Sequence, residues 1–151
     1  MALHEIINVR LLSPTLLLGG QPTEDELRAV ADAGYTHVIN LGLLDPNYCQ
    51  ADEVGLTRQL GLGYRHIPVD FGHPRLEELE AFADELAAHA GERLFVHCAM
   101  NYRASAFTAL YLERHRGWER AAADALIHDV WEPYGAWPEF IAAARAEWIG
   151  R

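Results

Sequence analysis

Residues 94–107 read LFVHCAMNYRASAF, and this stretch decides how the rest of the chain is arranged. It begins with a short apolar run, which is typical of a buried strand, and it ends in residues that can start a helix. Cys98 lies at the junction, and Arg103 follows it after four intervening residues. The helix N-terminus and the guanidinium both favour a charged sulfur over a neutral thiol. We therefore interpret Cys98 as a nucleophile at the tip of a strand.

The residues that follow Cys98 form a candidate anion-binding loop. Their backbone N–H groups can curl around an oxyanion, and Arg103 can bind two of its oxygens. The loop residues are Ala99, Met100, Asn101 and Tyr102. None of them is glycine, and Asn101 is the one best able to adopt the left-handed backbone that a glycine would supply. A thiolate beside such a loop indicates attack on phosphorus or transfer of sulfur.

This segment resembles the phosphate-binding loop of the cysteine-dependent protein tyrosine and dual-specificity phosphatases. The resemblance rests on His97, Cys98 and Arg103, with the hydroxyl of Ser105 just beyond them. That family usually has five residues between Cys and Arg, a glycine in the loop, and Ser or Thr directly after the Arg. This chain has four residues there, no glycine, and Ala104 before Ser105.

The shorter spacing is similar to that of a group of bacterial phosphatase-like proteins and of rhodanese-type sulfurtransferases. The opening of the chain also resembles that bacterial group. Gly-Gln-Pro-Thr stands at residues 20–23, a helical pattern follows, and Val-Ile-Asn-Leu stands at residues 38–41.

Strand and helix patterns alternate along the chain, which predicts parallel crossovers and an α/β layered sheet. Thr23 and Glu26 form a capping box at the start of the first helix, and Gly34 ends it. We expect strands at residues 15–19, 36–41, 64–69 and 93–97, and later helices at 49–60, 75–90, 102–116, 119–131 and 137–149. The resemblance implies a small, mainly parallel sheet of four to five strands with helices on both faces. By length, residues 1–151 make one domain.

Asp70 directly follows the third predicted strand, and Cys98 directly follows the fourth. In open α/β sheets ligands bind beyond the carboxyl ends of the strands, so we expect both residues on one rim. The phosphatases carry an Asp on a loop upstream of the Cys, where it acts as the general acid. The resemblance implies this role for Asp70, with His73 on the same loop as the alternative acid.

The resemblance implies a two-step hydrolysis through a phosphocysteine, with no cofactor and no metal. In this interpretation His97 orients the loop, and Ser105 is placed to assist the sulfur. Two other functions remain open. One is a rhodanese-like sulfurtransferase in which Cys98 carries a persulfide, and the other is a catalytically weak domain that binds phosphorylated ligands. A phosphorylated protein and a small phosphate ester both remain possible substrates, and the oligomeric state is undetermined.

The formal net charge is −10, and the chain contains no lysine. The acidic balance argues against nucleic acid and anionic membranes as partners, because both attract basic surfaces. The lack of lysine excludes a Walker-type phosphate loop and a Schiff-base mechanism. Two cysteines are too few for a disulfide framework, and no signal peptide or membrane-spanning run is visible. We therefore expect a cytoplasmic protein.

Overall fold

The computed structural model describes residues 3–150, which form a five-stranded sheet flanked by helices. The strands are β1 (Arg10–Ser13), β2 (Leu16–Gly19), β3 (His37–Asn40), β4 (Gly63–His66) and β5 (Leu94–His97). The helices are α1 (Glu24–Asp32), α2 (Glu53–Gln59), α3 (Leu76–Ala88), α4 (Tyr102–His115), α5 (Arg120–Val130) and α6 (Trp137–Ala143). The strand order is β1-β2-β5-β3-β4, in which β1 pairs antiparallel with β2 and the other pairs are parallel. The predicted sheet is confirmed.

Alternate residues of the central strand β5 enter two separate cores, because successive side chains of a strand point to opposite faces. Phe95 packs into the smaller core with Leu27 and Val30 of α1. Val96 packs into the larger core, to which α3, α4, α5 and α6 contribute. Helices therefore cover both faces of the sheet, as the resemblance implies.

Local signals explain how α1 begins and ends. The Glu26 amide donates to the Thr23 hydroxyl at 3.1 Å, and the Thr23 amide donates to the Glu26 carboxylate at 2.9 Å. This reciprocal pair is the predicted capping box. Gly34 has a φ of +95°, which suits the left-handed residue that ends a helix.

Two of the predicted boundaries are wrong. The strand expected at residues 64–69 already ends at His66. The helix expected at residues 49–60 begins only at Glu53, because the Asp52 side chain accepts from the Gly55 amide at 3.0 Å and caps it there. Cys49 therefore precedes the helix, and Val54 in its first turn is 51% exposed. Strand β1 was not expected at all.

The helix expected at residues 137–149 is confirmed in extent, although its second half, Ala144–Ile149, is π-helical. No helix among residues 3–150 combines the length and the apolarity that a membrane crossing requires.

Candidate active site

The carboxyl ends of the parallel strands meet at one edge of the sheet. Asn40, the last residue of β3, is in register with His66 of β4 and with His97 of β5. Cys98 directly follows β5, and the segment after β4 continues along the same edge, where the Val69 amide donates to the Leu41 carbonyl at 3.1 Å. Cys98 and the loop that carries Asp70 therefore lie at the same rim.

The loop after Cys98 is held by two asparagine side chains that donate to backbone carbonyls. Asn101 has a φ of +68°, so it adopts the left-handed conformation that the sequence predicts for it. Its Nδ2 donates to the Asn8 carbonyl at 2.8 Å, and Asn8 Nδ2 donates to the Met100 carbonyl at 3.0 Å. The segment before β1 thus fixes the shape of the loop, a role that was not anticipated.

The orientation of the loop peptides follows from their carbonyl groups. The Cys98 carbonyl faces His97 Nδ1 at 3.2 Å, and the Ala99 carbonyl accepts from the Gln21 amide at 2.9 Å. In a trans peptide the N–H group points opposite to the C=O group. The amides of Ala99 and Met100 are therefore directed away from these partners.

Helix α4 begins directly after this loop. The N-cap residue Asn101, which precedes the helix, makes no side-chain capping hydrogen bond, because its side chain is bound to Asn8. The first N–H groups of a helix have no partner within the helix and carry the positive end of its dipole. The start of α4 therefore offers donors to an anion beside Cys98.

Arg103 is buried at the first turn of α4 and is held by the neighbouring loop. Its Nη1 donates to the Val69 carbonyl at 2.8 Å, and its guanidinium carbon lies 6.0 Å from the centre of the Phe71 ring. Its Nε is buried and finds no hydrogen-bond acceptor among residues 3–150. The edge formed by Nε and Nη2 is thus available to bind two oxygens of one anion.

A depression of about 200 Å³ opens over these groups. Its lining residues are Phe71, Cys98, Ala99, Met100, Tyr102, Arg103 and Tyr134. Cys98 is completely buried, whereas Met100 and Tyr134 are exposed and form part of the rim. Phe71 packs 5.5 Å from Tyr134 between ring centres, and the Trp137 indole donates to the Phe71 carbonyl at 2.8 Å. Aromatic residues of the C-terminal region therefore support the loop beside Arg103.

Asp70 lies between the two loop residues that contact Arg103. Its side chain is 61% exposed, and its carboxylate accepts from the Gly72 amide at 3.1 Å and faces His73 Nδ1 at 3.3 Å. His73 is more exposed still. The structure brings their loop to Arg103, but both side chains are largely in solvent.

Ser105 is fully buried in the first turns of α4. Its hydroxyl lies 3.1 Å from the Tyr102 carbonyl and donates to it, a bond within the helix rather than one to the Cys98 sulfur. The geometry therefore offers no direct support for a contact between Ser105 and the sulfur.

Glu53 of α2 is a site residue that sequence reasoning missed. Its carboxylate is almost fully buried, lies 2.6 Å from His97 Nε2 and accepts from Gln21 Nε2 at 2.8 Å. Burial acts to raise the pKa of Glu53, but the charge and hydrogen bond of His97, with hydrogen bonds from Gln21 and Tyr64, outweigh it and lower that pKa. The pair is separated by 44 residues of sequence, and no local motif marks it.

Neither a protein-family model nor a curated protein matches the chain by sequence. Among solved structures, the "Putative phosphatase (DUF442)" from Shewanella putrefaciens CN-32 is 32% identical and superposes with a TM-score of 0.87. The alignment covers 97% of this chain and 96% of that one. The chain belongs to the DUF442 family.

Two more distant structures share the fold of this DUF442 protein. P. aeruginosa TpbA, in complex with pTyr, is 21% identical with a TM-score of 0.68, over 85% of this chain and 75% of that one. PTPMT1, in complex with PI(5)P, is 19% identical with a TM-score of 0.75, over 92% of this chain and 95% of that one. The fold implied by the resemblance to the cysteine-dependent tyrosine and dual-specificity phosphatases is thereby confirmed.

Proposed function

We propose that this DUF442 protein hydrolyses phosphate monoesters through a phosphocysteine intermediate. The observation that carries the proposal is the buried Arg103 Nε, which has no acceptor among residues 3–150 and lies beside the depression that Cys98 lines. A buried donor left without a partner costs about 1–3 kcal/mol. A phosphoryl group bound across Nε and Nη2 removes this cost, because two of its oxygens accept hydrogen bonds from these two nitrogens.

The first step is attack of the Cys98 thiolate on phosphorus, in line with the ester oxygen. The S–P bond forms as the P–O bond breaks. Arg103, the amides of Ala99 and Met100 and the start of α4 stabilise the negative charge on the remaining phosphoryl oxygens. Asp70 donates a proton to the leaving oxygen, which departs as an alcohol or phenol.

The second step returns the enzyme to its starting state. A water molecule attacks phosphorus while Asp70, now a carboxylate, accepts its proton. The S–P bond breaks, inorganic phosphate leaves, and Cys98 is again a thiolate. Because the Asp70 side chain is largely exposed, it must turn toward the depression when substrate binds; its neighbours Val69 and Phe71 already contact Arg103.

The substrate is a phosphorylated tyrosine or serine side chain, or a small phosphate ester. The shallow depression favours an unhindered ester, and Phe71 and Tyr134 offer aromatic faces to the group that carries the phosphate. The ligands of TpbA and PTPMT1, pTyr and PI(5)P, both carry a phosphate ester, which supports this class of substrate.

Release of inorganic phosphate from an aryl phosphate tests the proposal. The wild type should be active, Cys98→Ser should be inactive, and Cys49→Ser should keep most of the activity because Cys49 lies outside the depression. Rapid quenching in acid should trap a phosphorylated protein that Cys98→Ser does not form. Wild-type activity in Cys98→Ser would overturn the mechanism.

A further inference from the structure

A cluster of histidine and glutamate side chains lies at the sheet edge opposite to Cys98. It contains His37, Glu85 and His89, whose ligand atoms all lie within 4.8 Å of one another. His37 is the first residue of β3 and is in register with Leu94, the first residue of β5. The cluster therefore joins the amino-terminal edge of the sheet to the end of α3, and the proposed phosphatase reaction does not use it.

The two imidazole rings point their Nε2 atoms at the same carboxylate oxygen. His37 Nε2 lies 2.6 Å and His89 Nε2 lies 3.2 Å from Glu85 Oε2. The rings are stacked, with centres 3.7 Å apart and an angle of 16° between their planes. Two nitrogens and one oxygen thus converge from one strand and one helix.

A second carboxylate fixes the orientation of His89. Its Nδ1 lies 2.8 Å from Glu92 Oε2, so the Nδ1–H group donates there, and the other Glu92 oxygen accepts from the Thr36 hydroxyl at 2.9 Å. In a neutral His89 the lone pair of Nε2 then faces the Glu85 carboxylate. Two hydrogen-bond acceptors that face each other repel, and a cation bound between them removes this repulsion. A histidine that ligates a metal characteristically donates its second ring nitrogen to a carboxylate in this way.

The ring of His37 is closely surrounded by its neighbours. A side chain at position 63 would collide with His37 Nδ1, so Gly63 makes room for the ring. His37 is buried and Glu85 is mostly covered, which makes the donors a preformed set rather than a chance surface group.

We propose that His37, Glu85 and His89 form a binding site for a divalent transition-metal ion of the zinc type, with Glu92 orienting His89. Two imidazoles and one carboxylate are a donor set that such ions accept, with a fourth position open to solvent. Zinc-to-ligand bonds of about 2 Å in tetrahedral geometry separate the ligand atoms by roughly 3.3 Å. The distance of 3.2 Å between His89 Nε2 and Glu85 Oε2 already matches this value, whereas the distance of 2.6 Å between His37 Nε2 and the same oxygen must lengthen by about 0.7 Å to admit the ion.

The test measures Zn²⁺ binding by calorimetry to tag-free protein that carries Cys98→Ser and Cys49→Ser, so that thiolates cannot contribute. One ion should bind per chain, and tetrahedral Co²⁺ should give visible d–d absorption without sulfur charge-transfer bands. His89→Gln and Glu85→Gln should each weaken binding by roughly 10-fold or more. Zn²⁺ should raise the melting temperature of the parent protein but not that of His89→Gln.

His128→Gln is the matched control, because His128 also pairs with a glutamate four residues away, Glu132, at 2.8 Å. It should bind Zn²⁺ like the parent. No binding by the parent, equal binding by His89→Gln and Glu85→Gln, or equal loss in His128→Gln would each overturn the proposal. Circular dichroism of every variant verifies that a loss of binding is not a loss of folding.

Discussion

His97 Nε2 lies 2.6 Å from the carboxylate of Glu53, and the opposite nitrogen of the same ring faces the carbonyl of Cys98 at 3.2 Å. Both nitrogens of His97 thus face acceptors. A buried carboxylate on α2 is linked through one imidazole to the peptide bond that follows the proposed nucleophile. We infer that Glu53 is a positioning residue, which holds His97 and through it the Cys98 peptide.

Glu53→Gln should keep the fold and slow hydrolysis of an aryl phosphate by about 10-fold, the loss expected when a hydrogen bond to a charged group weakens. A residue that matters only for folding would leave the pH–rate profile unchanged, whereas loss of this charge beside His97 should alter it. Glu53→Asp, which restores the charge, should recover part of the activity. Full activity with an unaltered profile in Glu53→Gln would contradict the positioning role.

The lowered pKa of Glu53 also predicts a pH dependence of stability. In the unfolded chain Glu53 titrates near its ordinary value of 4.5, whereas in the folded protein it stays ionised to lower pH. Its contribution is therefore fully present above that value and is lost as pH falls through the lower, folded pKa. Urea unfolding of wild type and Glu53→Gln should show a difference in unfolding free energy that shrinks below pH 4.5; a constant difference would refute the linkage.

Asn101 provides a test of the loop conformation. Asn101→Gly should cost about 1 kcal/mol, for the lost bond to the Asn8 carbonyl, because glycine accepts the positive φ. Asn101→Ala should cost about 2 kcal/mol or more, because it loses the same bond and also strains the left-handed backbone. Chemical denaturation measures both, and phosphatase activity should follow the same order. An alanine variant as stable as the glycine variant would contradict this.

The roles of Asn101 and Asn8 show which structural features a local sequence pattern can predict. The left-handed Asn101 and the capping box of Thr23 and Glu26 were predictable, because both depend on neighbours within a few residues. The role of Asn8 was not predictable, because its hydrogen-bond partner Met100 lies 92 residues away in the sequence. Glu53 was not predictable for the same reason, because its partner His97 is distant in sequence. From the sequence alone, an acidic residue at a helix start is expected to be exposed.

Strand β1 and the start of α2 were missed for different reasons. Arg10–Ser13 is a short edge strand without a fully buried residue, and its sequence lacks the apolar run that marks the central strands. The apolar spacing over residues 49–60 is typical of a longer helix, whereas the capping side chain of Asp52 starts the helix only at Glu53.

Arg103→Lys separates the role of charge from the role of the guanidinium fork. Lysine keeps the positive charge but cannot donate through two coplanar N–H groups while also binding the Val69 carbonyl. We expect a loss of roughly 100-fold or more in kcat for an aryl phosphate. Binding of orthovanadate, followed by calorimetry, should weaken in parallel. A variant with near wild-type kcat would remove the fork from the proposed mechanism.

The general acid is identified by its dependence on the leaving group. Asp70→Asn should slow hydrolysis of an alkyl phosphate by roughly 100-fold or more, and that of an activated aryl phosphate by less, since a good leaving group needs no proton. His73→Gln is the matched variant, because the two side chains share one loop and lie 3.3 Å apart. If His73→Gln shows the leaving-group dependence and Asp70→Asn does not, His73 is the acid.

The short loop between Cys98 and Arg103 bears on whether the site hydrolyses phosphate esters or transfers sulfur. Four intervening residues make a tighter ring than five, with one amide fewer for the phosphoryl oxygens. Each donor lost from a transition-state oxyanion costs about 3 kcal/mol, or about 100-fold in rate. A tight ring also suits a single sulfur atom. Against this, the buried Arg103 Nε and the Asp70 loop beside it are features that a persulfide carrier does not need.

We therefore expect modest phosphatase activity on small esters and little transfer of sulfur from thiosulfate to cyanide. Both assays should be run on the same preparation of the protein, with Cys98→Ser as the blank for each. Robust sulfur transfer without phosphate release would replace the proposed function by that of a sulfurtransferase. If neither reaction occurs while orthovanadate still binds and Arg103→Lys weakens that binding, the depression serves to bind phosphorylated ligands without turnover.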